Sequence, residues 1–281
     1  MSLTEIPSHL QPLLTLRHPN PRKLPPLPKL QALFSHTLQD AKAKKAEKAW
    51  LTLITSTLMS VDVPDAVPYL YHFVTRDNVD SHATRRSVQE AADKAELMRE
   101  AMLKGIIFVG MPRSILSLES LYGAVDADVK NHLREHSLRA MTPANIDERL
   151  AHGKALMDSI YPEAAEDRAR LSTYHPDFSD VVIQSYAATL APLPGGNAVR
   201  GNLDRALTSV VGVACLRSEG GVGELLDSHF LGLLRARDVP GLTHEDYWVA
   251  SDEGAEWVLR TVDAILDVVK PELGKGGDCG V

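Results

Sequence analysis

The 281-residue chain predicts an all-α fold, a helical bundle, and three observations carry that expectation. Aromatic residues make up only 5% of the chain while Ala and Leu recur throughout, a balance that favours helices over sheets. Apolar residues return at steps of three and four in stretch after stretch, the period of a helix face. The longest such stretch, 91–122, turns on a Gly-Met-Pro corner between two helices. In it Ala91, Ala95, Met98, Met102, Ile106 and Val109 share one face. Gly110 supplies a C-cap without a Cβ penalty, and Pro112 suits the first turn of a helix expected from Arg113 to about Tyr122. A helical hairpin of this kind buries its apolar face only against other helices.

Taken in order, residues 1–40 form a Pro-rich arm, with Pro7, Pro12, Pro19, Pro21, Pro25, Pro26 and Pro28 forbidding a continuous helix. An arm that wraps its own domain or a neighbouring subunit is expected; an SH3-type ligand is the alternative. Helical spacing begins at Lys29, where Leu30, Leu33, Phe34 and Leu38 share a face. A helix from about Glu47 to Met59 carries Trp50, Leu51, Ile54 and Leu58. After the SVDVPD turn, Asp65 can cap a helix lined by Tyr69, Leu70 and Phe73. Residues 41–125 make a first helical module, and the charged stretch 126–177 a connector of two or three surface helices. A second module, 178–270, reopens near Phe178, passes the loop LPGGNAVRGN, and ends in a helix from about Asp252 to Val269. Residues 271–281 read as a flexible tail.

A net charge of −7 without a basic cluster argues against nucleic acid as a partner. No apolar run reaches the roughly 18 residues of a membrane span. The N-terminus lacks the layout of a secretory signal, so a cytoplasmic protein is expected. Arg17, Arg22 and Lys23 keep a mitochondrial presequence as the alternative, against which Glu5 and the prolines weigh. Two cysteines, Cys215 and Cys279, make neither a disulfide framework nor a thiolate zinc site. His132-Leu-Arg-Glu-His136 spells H-x-x-E-H, which on a helix would set two imidazoles on one face. It has no evident third ligand and strongly charged neighbours, so a solvated helix face is expected and no metal. The Gly-rich loops do not read as phosphate loops, and Ser114, Ser117 and Ser120 lack a nucleophile elbow. Trp248 and Trp257 stand nine apart on or near the last helix, and core packing accounts for at least one of them better than a ligand box.

Laying His72 on His229 reveals an internal repeat that also aligns Lys48-Ala49 with Arg205-Ala206 and pairs His72-Phe73 with His229-Phe230. The order within it is an apolar helix, a turn, a helix with one His, then a Glu-containing helix ending in aromatic-x-Gly-x-Pro. In the first half these are KAWLTLITSTLMS, PYLYHFVTR and EAMLKGIIFVGMPRSILSLESL, with Glu100, Phe108, Gly110 and Pro112 at the closing corner. This pattern resembles the carboxymuconolactone decarboxylase and AhpD-like superfamily, over about 45–125 and 180–270. The resemblance implies an AhpD-like bundle of two related modules, assembled as a symmetric homo-oligomer.

AhpD-type disulfide reductases resemble one another in a Cys-x-x-Cys motif shortly before the His. Here those positions hold Val222 and Leu225 before His229, and Asp65 and Pro68 before His72. A thiol couple is absent there, so peroxidase-type disulfide chemistry is not expected. The remaining tools suit proton transfer without a cofactor: decarboxylation or isomerisation of a small, anionic organic substrate. His72 would be general base or acid, Glu100 its proton-relaying partner, and His229 the equivalent imidazole of the second half. Arg113 at a helix start would hold an anion, with Tyr71 and Glu224 as further substrate-binding groups. A helical His that only hydrogen-bonds to backbone is the simpler account of each imidazole. The alternative function is a non-catalytic scaffold that binds partners.

Overall fold

The organising helix of the fold is α3 (Glu47–Ser60), in which every residue from Ala49 to Ser60 is buried. Its counterpart α11 (Arg205–Glu219) is buried from Arg205 through Leu216. Helices without an exposed face belong inside a protein, and these two pack against each other at its centre. Their small hydroxyls do not disturb that burial. Thr52, Ser56, Thr57 and Ser60 each donate to the carbonyl four residues earlier, at 2.7–2.9 Å.

The computed structural model describes residues 7–15, 24–161 and 163–270, which are all-helical and contain no β-strand. In order come α1 (Gln11–Thr15), α2 (Leu27–Ala43), α3, α4 (Ala66–Thr75), α5 (Val88–Val109) and α6 (Met111–Ala124). Then follow α7 (Ala127–Lys130), α8 (Ile146–Ile160), α9 (Ala164–Tyr174), α10 (Phe178–Ser185), α11, α12 (Gly223–Arg235), α13 (His244–Val249) and α14 (Asp252–Val269). The central pair is covered by α2, α4, α5, α6, α12, α13 and α14, and one main core runs through both halves of the chain. A smaller core joins Leu156, Met157 and Ile160 of α8 to Tyr186, Leu190 and Ala191, with Ile107 and Phe108 of α5 packed on it. None of the described helices is long and apolar enough to cross a membrane.

Local chemistry explains the element ends. Ser87 caps α5 by accepting from the Glu90 amide at 3.1 Å. Gly110, at φ 81°, makes the corner, and Pro112 sits in the first turn of α6. The two core tryptophans are anchored through their indole N–H groups: Trp50 donates to Thr37 at 2.9 Å and Trp257 to Asp40 at 2.7 Å.

Several expectations change. The chain is helical from Leu27, and Leu30 and Phe34 lie in the core, so 27–40 is a covering helix rather than an arm. Pro19, Pro21, Cys279 and the tail 271–281 lie outside the described residues. Asp65 precedes α4 but forms no side-chain cap bond. Residues 131–137, with the H-x-x-E-H sequence, are not helical. Instead the Arg134 amide donates to the buried Glu96 carboxylate at 2.5 Å, a bond a continuing helix would preclude. The connector holds three helices, yet α8 buries one face, so it is more than a surface element.

One junction predicts a pH dependence. Asp204 caps α11 by accepting from the Leu207 amide at 3.1 Å, and it faces Asp246 of the Thr243 capping box on α13. Burial and then the neighbouring Asp246 carboxyl push the Asp204 carboxyl up to about 6. The folded state therefore prefers the protonated acid. Its contribution is complete below the unfolded carboxylate range and is lost as pH rises through about 6. Asp204→Asn keeps the cap and removes the charge, so it stabilises the protein by ~2 kcal/mol at about pH 7.5 and by little at about pH 4.5. Urea denaturation at both pH values tests this; a loss of stability at about pH 7.5, or the same change at both pH values, would contradict it.

Candidate functional site

The site is built where α5, α8, α10 and α12 meet. Helix α8 ends at Ile160, and Tyr161 follows in extended conformation, as suits a residue whose successor in the sequence is Pro162. Two guanidinium groups hold that helix end. Arg205 donates to the Ser159 hydroxyl at 2.9 Å and carbonyl at 3.2 Å, and Arg235 donates to the Ile160 carbonyl at 2.6 Å. Cations at a helix C-terminus complement its unpaired carbonyls. Arg205 also donates to the Gly232 carbonyl at 2.8 Å, tying α12 to the same point.

Beyond α10 the chain widens into a π-helical turn, Tyr186–Leu190, closed by the Ala191 amide donating to the Tyr186 carbonyl at 2.9 Å. Such turns are rare and recur at functional sites. Its exit is clamped by Lys104 of α5, a fully buried side chain that donates to the carbonyls of Leu190 and, at 3.2 Å, Ala191. Burial brings the Lys104 ammonium down to about 7, opposed by Glu100 at 3.9 Å.

These two devices aim Tyr161 and Tyr186 at His229 of α12. The Tyr161 hydroxyl lies 3.0 Å from His229 Nε2 and 3.2 Å from the Tyr186 hydroxyl, a three-member hydrogen-bonded relay. Phe108 stands edge-on to the imidazole, ring centres 5.0 Å apart. On the other side the ring fits against α11 only because residue 212 is glycine. A Cβ there would lie 2.9 Å from His229 Nδ1 and 3.2 Å from Phe108. Burial, then the nearby Arg205, hold the His229 imidazole down at about 4, so it is neutral at pH 7. Burial raises both phenols, keeping them protonated.

The relay floors a pocket of about 400 Å³ walled by Ile107, Phe108, Met157, Leu171, Val182 and Leu225. Its charged lining residues, Asp167 and Arg170, pair with each other at 2.9 Å and are partly exposed. An apolar cavity with a few convergent polar groups of shifted pKa is the form of a small-molecule site. Clefts of about 390, 550 and 520 Å³ elsewhere are lined largely by charged and polar side chains.

The other residues singled out in the sequence are placed as follows. His72, half-buried, lies 3.3 Å from the Ala124 carbonyl through Nε2, and burial followed by Arg76 lowers its pKa. Tyr71 is buried beside it with no hydrogen-bond partner for its hydroxyl, which burial pushes up to about 12. Glu100 is buried in an ion pair with Arg139, near Lys104 and Arg134. No described hydrogen bond joins it to His72. The physical reason is the face each occupies. Glu96, Glu100 and Lys104 step by four along α5 toward 134–139 and 190–191, whereas His72 turns toward the end of α6. Arg113 binds Glu219 and donates to the Ser60 carbonyl at 2.8 Å, locking α6 to α3 and α11. Glu224 is exposed and does not line the pocket. Among the described residues no group of three or more His, Cys, Asp or Glu is disposed to hold a metal ion.

Of the sequence candidates, then, His229 alone lines the pocket, joined by Tyr161 and Tyr186, which the sequence reading passed over. The signal available for Tyr161 was its place before Pro162 at a helix end; Tyr186 gave none. Fold and site define an all-helical chain with a His–Tyr–Tyr relay under an apolar pocket. No family model matches this chain, and no curated protein or solved structure matches it.

Two outcomes follow from this packing. Gly212→Ala crowds His229 and Phe108. Overpacking costs about 1–3 kcal/mol against about 1 kcal/mol gained in helix propensity, so chemical denaturation will show a net loss of up to about 2 kcal/mol. Unchanged or raised stability would mean the imidazole is not seated there. Cys215, fully buried with its thiol pushed up to about 12, resists alkylation in native protein and reacts only in denaturant, as read by mass spectrometry.

Proposed function

We propose that this chain is an AhpD-like protein of two related helical modules that acts as a cofactor-free lyase or isomerase on a small organic molecule. In this reading His229, relayed through Tyr161 and Tyr186, takes the acid–base role, and the His72–Glu100 pair does not. The observation that carries it is the 3.0 Å contact between Tyr161 and His229 at the floor of an apolar pocket. A neutral imidazole in contact with a phenol can accept or return a proton, and water-poor walls strengthen that exchange.

The module reading draws support from helix boundaries. Shifted by the spacing of His72 and His229, α3 begins one residue before α11, and α4 begins on the first residue of α12. The buried thiol of Cys215 supports a reading without peroxidase chemistry. Assembly as a symmetric homo-oligomer belongs to the same reading, and exposed Met111, Ile115 and Tyr122 on α6 are consistent with a covered face. A second reading, a non-catalytic binding protein, is favoured by the predominance of apolar side chains in the pocket and uses the same site.

Small lactones, keto acids and ketones screened by thermal shift, then followed for turnover by NMR, test the proposal. Turnover is expected to fall about 10²-fold or more in His229→Gln and to persist in His72→Gln. Loss in His72→Gln with activity retained in His229→Gln would overturn it.

A further inference from the structure

We infer that the pocket takes an uncharged, mainly apolar molecule bearing a single carbonyl or hydroxyl head, with the head on the Tyr161–Tyr186–His229 relay. This rests on the proposed site and narrows its substrate class, away from the small anion that the sequence pattern implied.

The floor of the pocket selects the head group. Its polar atoms are two phenol oxygens and one imidazole nitrogen, in hydrogen-bonding distance in a row, while the other lining hydroxyls, Ser185 and Ser228, donate to the carbonyls of Val181 and Glu224. A row of this kind can run in either direction, because each hydroxyl both donates and accepts. Its free end can therefore donate to a carbonyl or accept from a hydroxyl. No charged side chain lines the floor; the charged lining residues are Asp167 and Arg170, paired with each other. A carboxylate head would have to lose its water there and would gain only neutral donors, and that desolvation decides against it.

Arg205 is the group that favours an anion, and its geometry limits the effect. Its donors go to Ser159 Oγ, Ser209 Oγ and the carbonyls of Ser159 and Gly232. It is 7% exposed and does not line the pocket; the Asp204 charge acts on it, but its described hydrogen bonds go to hydroxyls and carbonyls alone. Its field reaches the relay, while an ion pair with a ligand head is not formed. That arrangement leaves a neutral carbonyl as the bound form and eases negative charge that develops on its oxygen.

Size and walls fix the remainder. About 400 Å³ lies at the small end of ligand pockets and holds on the order of ten to fifteen non-hydrogen atoms at interior packing density. Phe178, Val181 and Leu225, at 41%, 52% and 55% exposure, rim the mouth with apolar surface, so the body of the ligand is apolar along its length.

Three nearly isosteric probes separate the possibilities on the full chain: benzylacetone, hydrocinnamate and isopentylbenzene. Binding is read by the ring signals of His229 in NMR and by titration calorimetry at about pH 7.5. Benzylacetone is expected to move the His229 signals and to bind at least about tenfold more tightly than hydrocinnamate. Tyr161→Phe and, independently, Tyr186→Phe are expected to shrink its advantage over isopentylbenzene by about three- to tenfold. Equal or tighter binding of hydrocinnamate would overturn the inference while leaving an acid–base site in place. Unmoved His229 signals with all three probes would overturn both. Benzylacetone binding without turnover of any ketone or lactone would support the ligand class and remove the lyase or isomerase reading.

Discussion

Two helices with no exposed face, α3 and α11, dictate the rest of this fold. A helix buried on every side must be surrounded, and α2, α4, α5, α6, α12, α13 and α14 supply the covering layer. The demand is met with small residues as much as with large ones. Thr and Ser return their hydroxyls to the helix backbone on α3, and Gly212 on α11 leaves the space that an imidazole fills. The candidate site is thus a consequence of close approach to the central pair, because His229 reaches the interior only where α11 presents no side chain.

The polar groups of the site are held by helix ends rather than by helix faces. Arg205 and Arg235 fasten the end of α8, and Lys104 fastens the exit of the π-turn. Each cation meets carbonyls that lack a helical partner, so the charge is used to fix backbone. Glu100 serves the same frame by pairing with Arg139 beside Lys104. A carboxylate that looked like a proton relay is here part of a buried brace, and it is the two phenols that lie in hydrogen-bonding contact with the pocket imidazole.

The legible parts of the fold are those with short-range causes. The corner at Gly110 and Pro112 was readable because a positive φ and a fixed φ are properties of single residues. The bounds of α14 follow from an apolar stripe and from Ser251, which caps it by accepting from the Gly254 amide. Tyr161 and Tyr186 were not legible as a pair. They stand 25 residues apart, and Tyr161 reaches His229 across 68; no periodicity records a meeting at that distance. Residues 131–137 misled for a related reason: H-x-x-E-H fits a helix locally, but buried Glu96 draws the Arg134 amide into a tertiary bond. The covering helix α2 was obscured by prolines that stop at its first turn instead of running through it.

The relay requires His229 to be a neutral, water-poor imidazole bonded to Tyr161. Its titration followed by NMR on uniformly ¹⁵N-labelled protein measures this directly. The structure predicts that His229 stays neutral, with its pKa held near 4 and its two ring nitrogens distinct at neutral pH. A titration near 6.5, the ordinary value for an exposed imidazole, would contradict it and with it the relay.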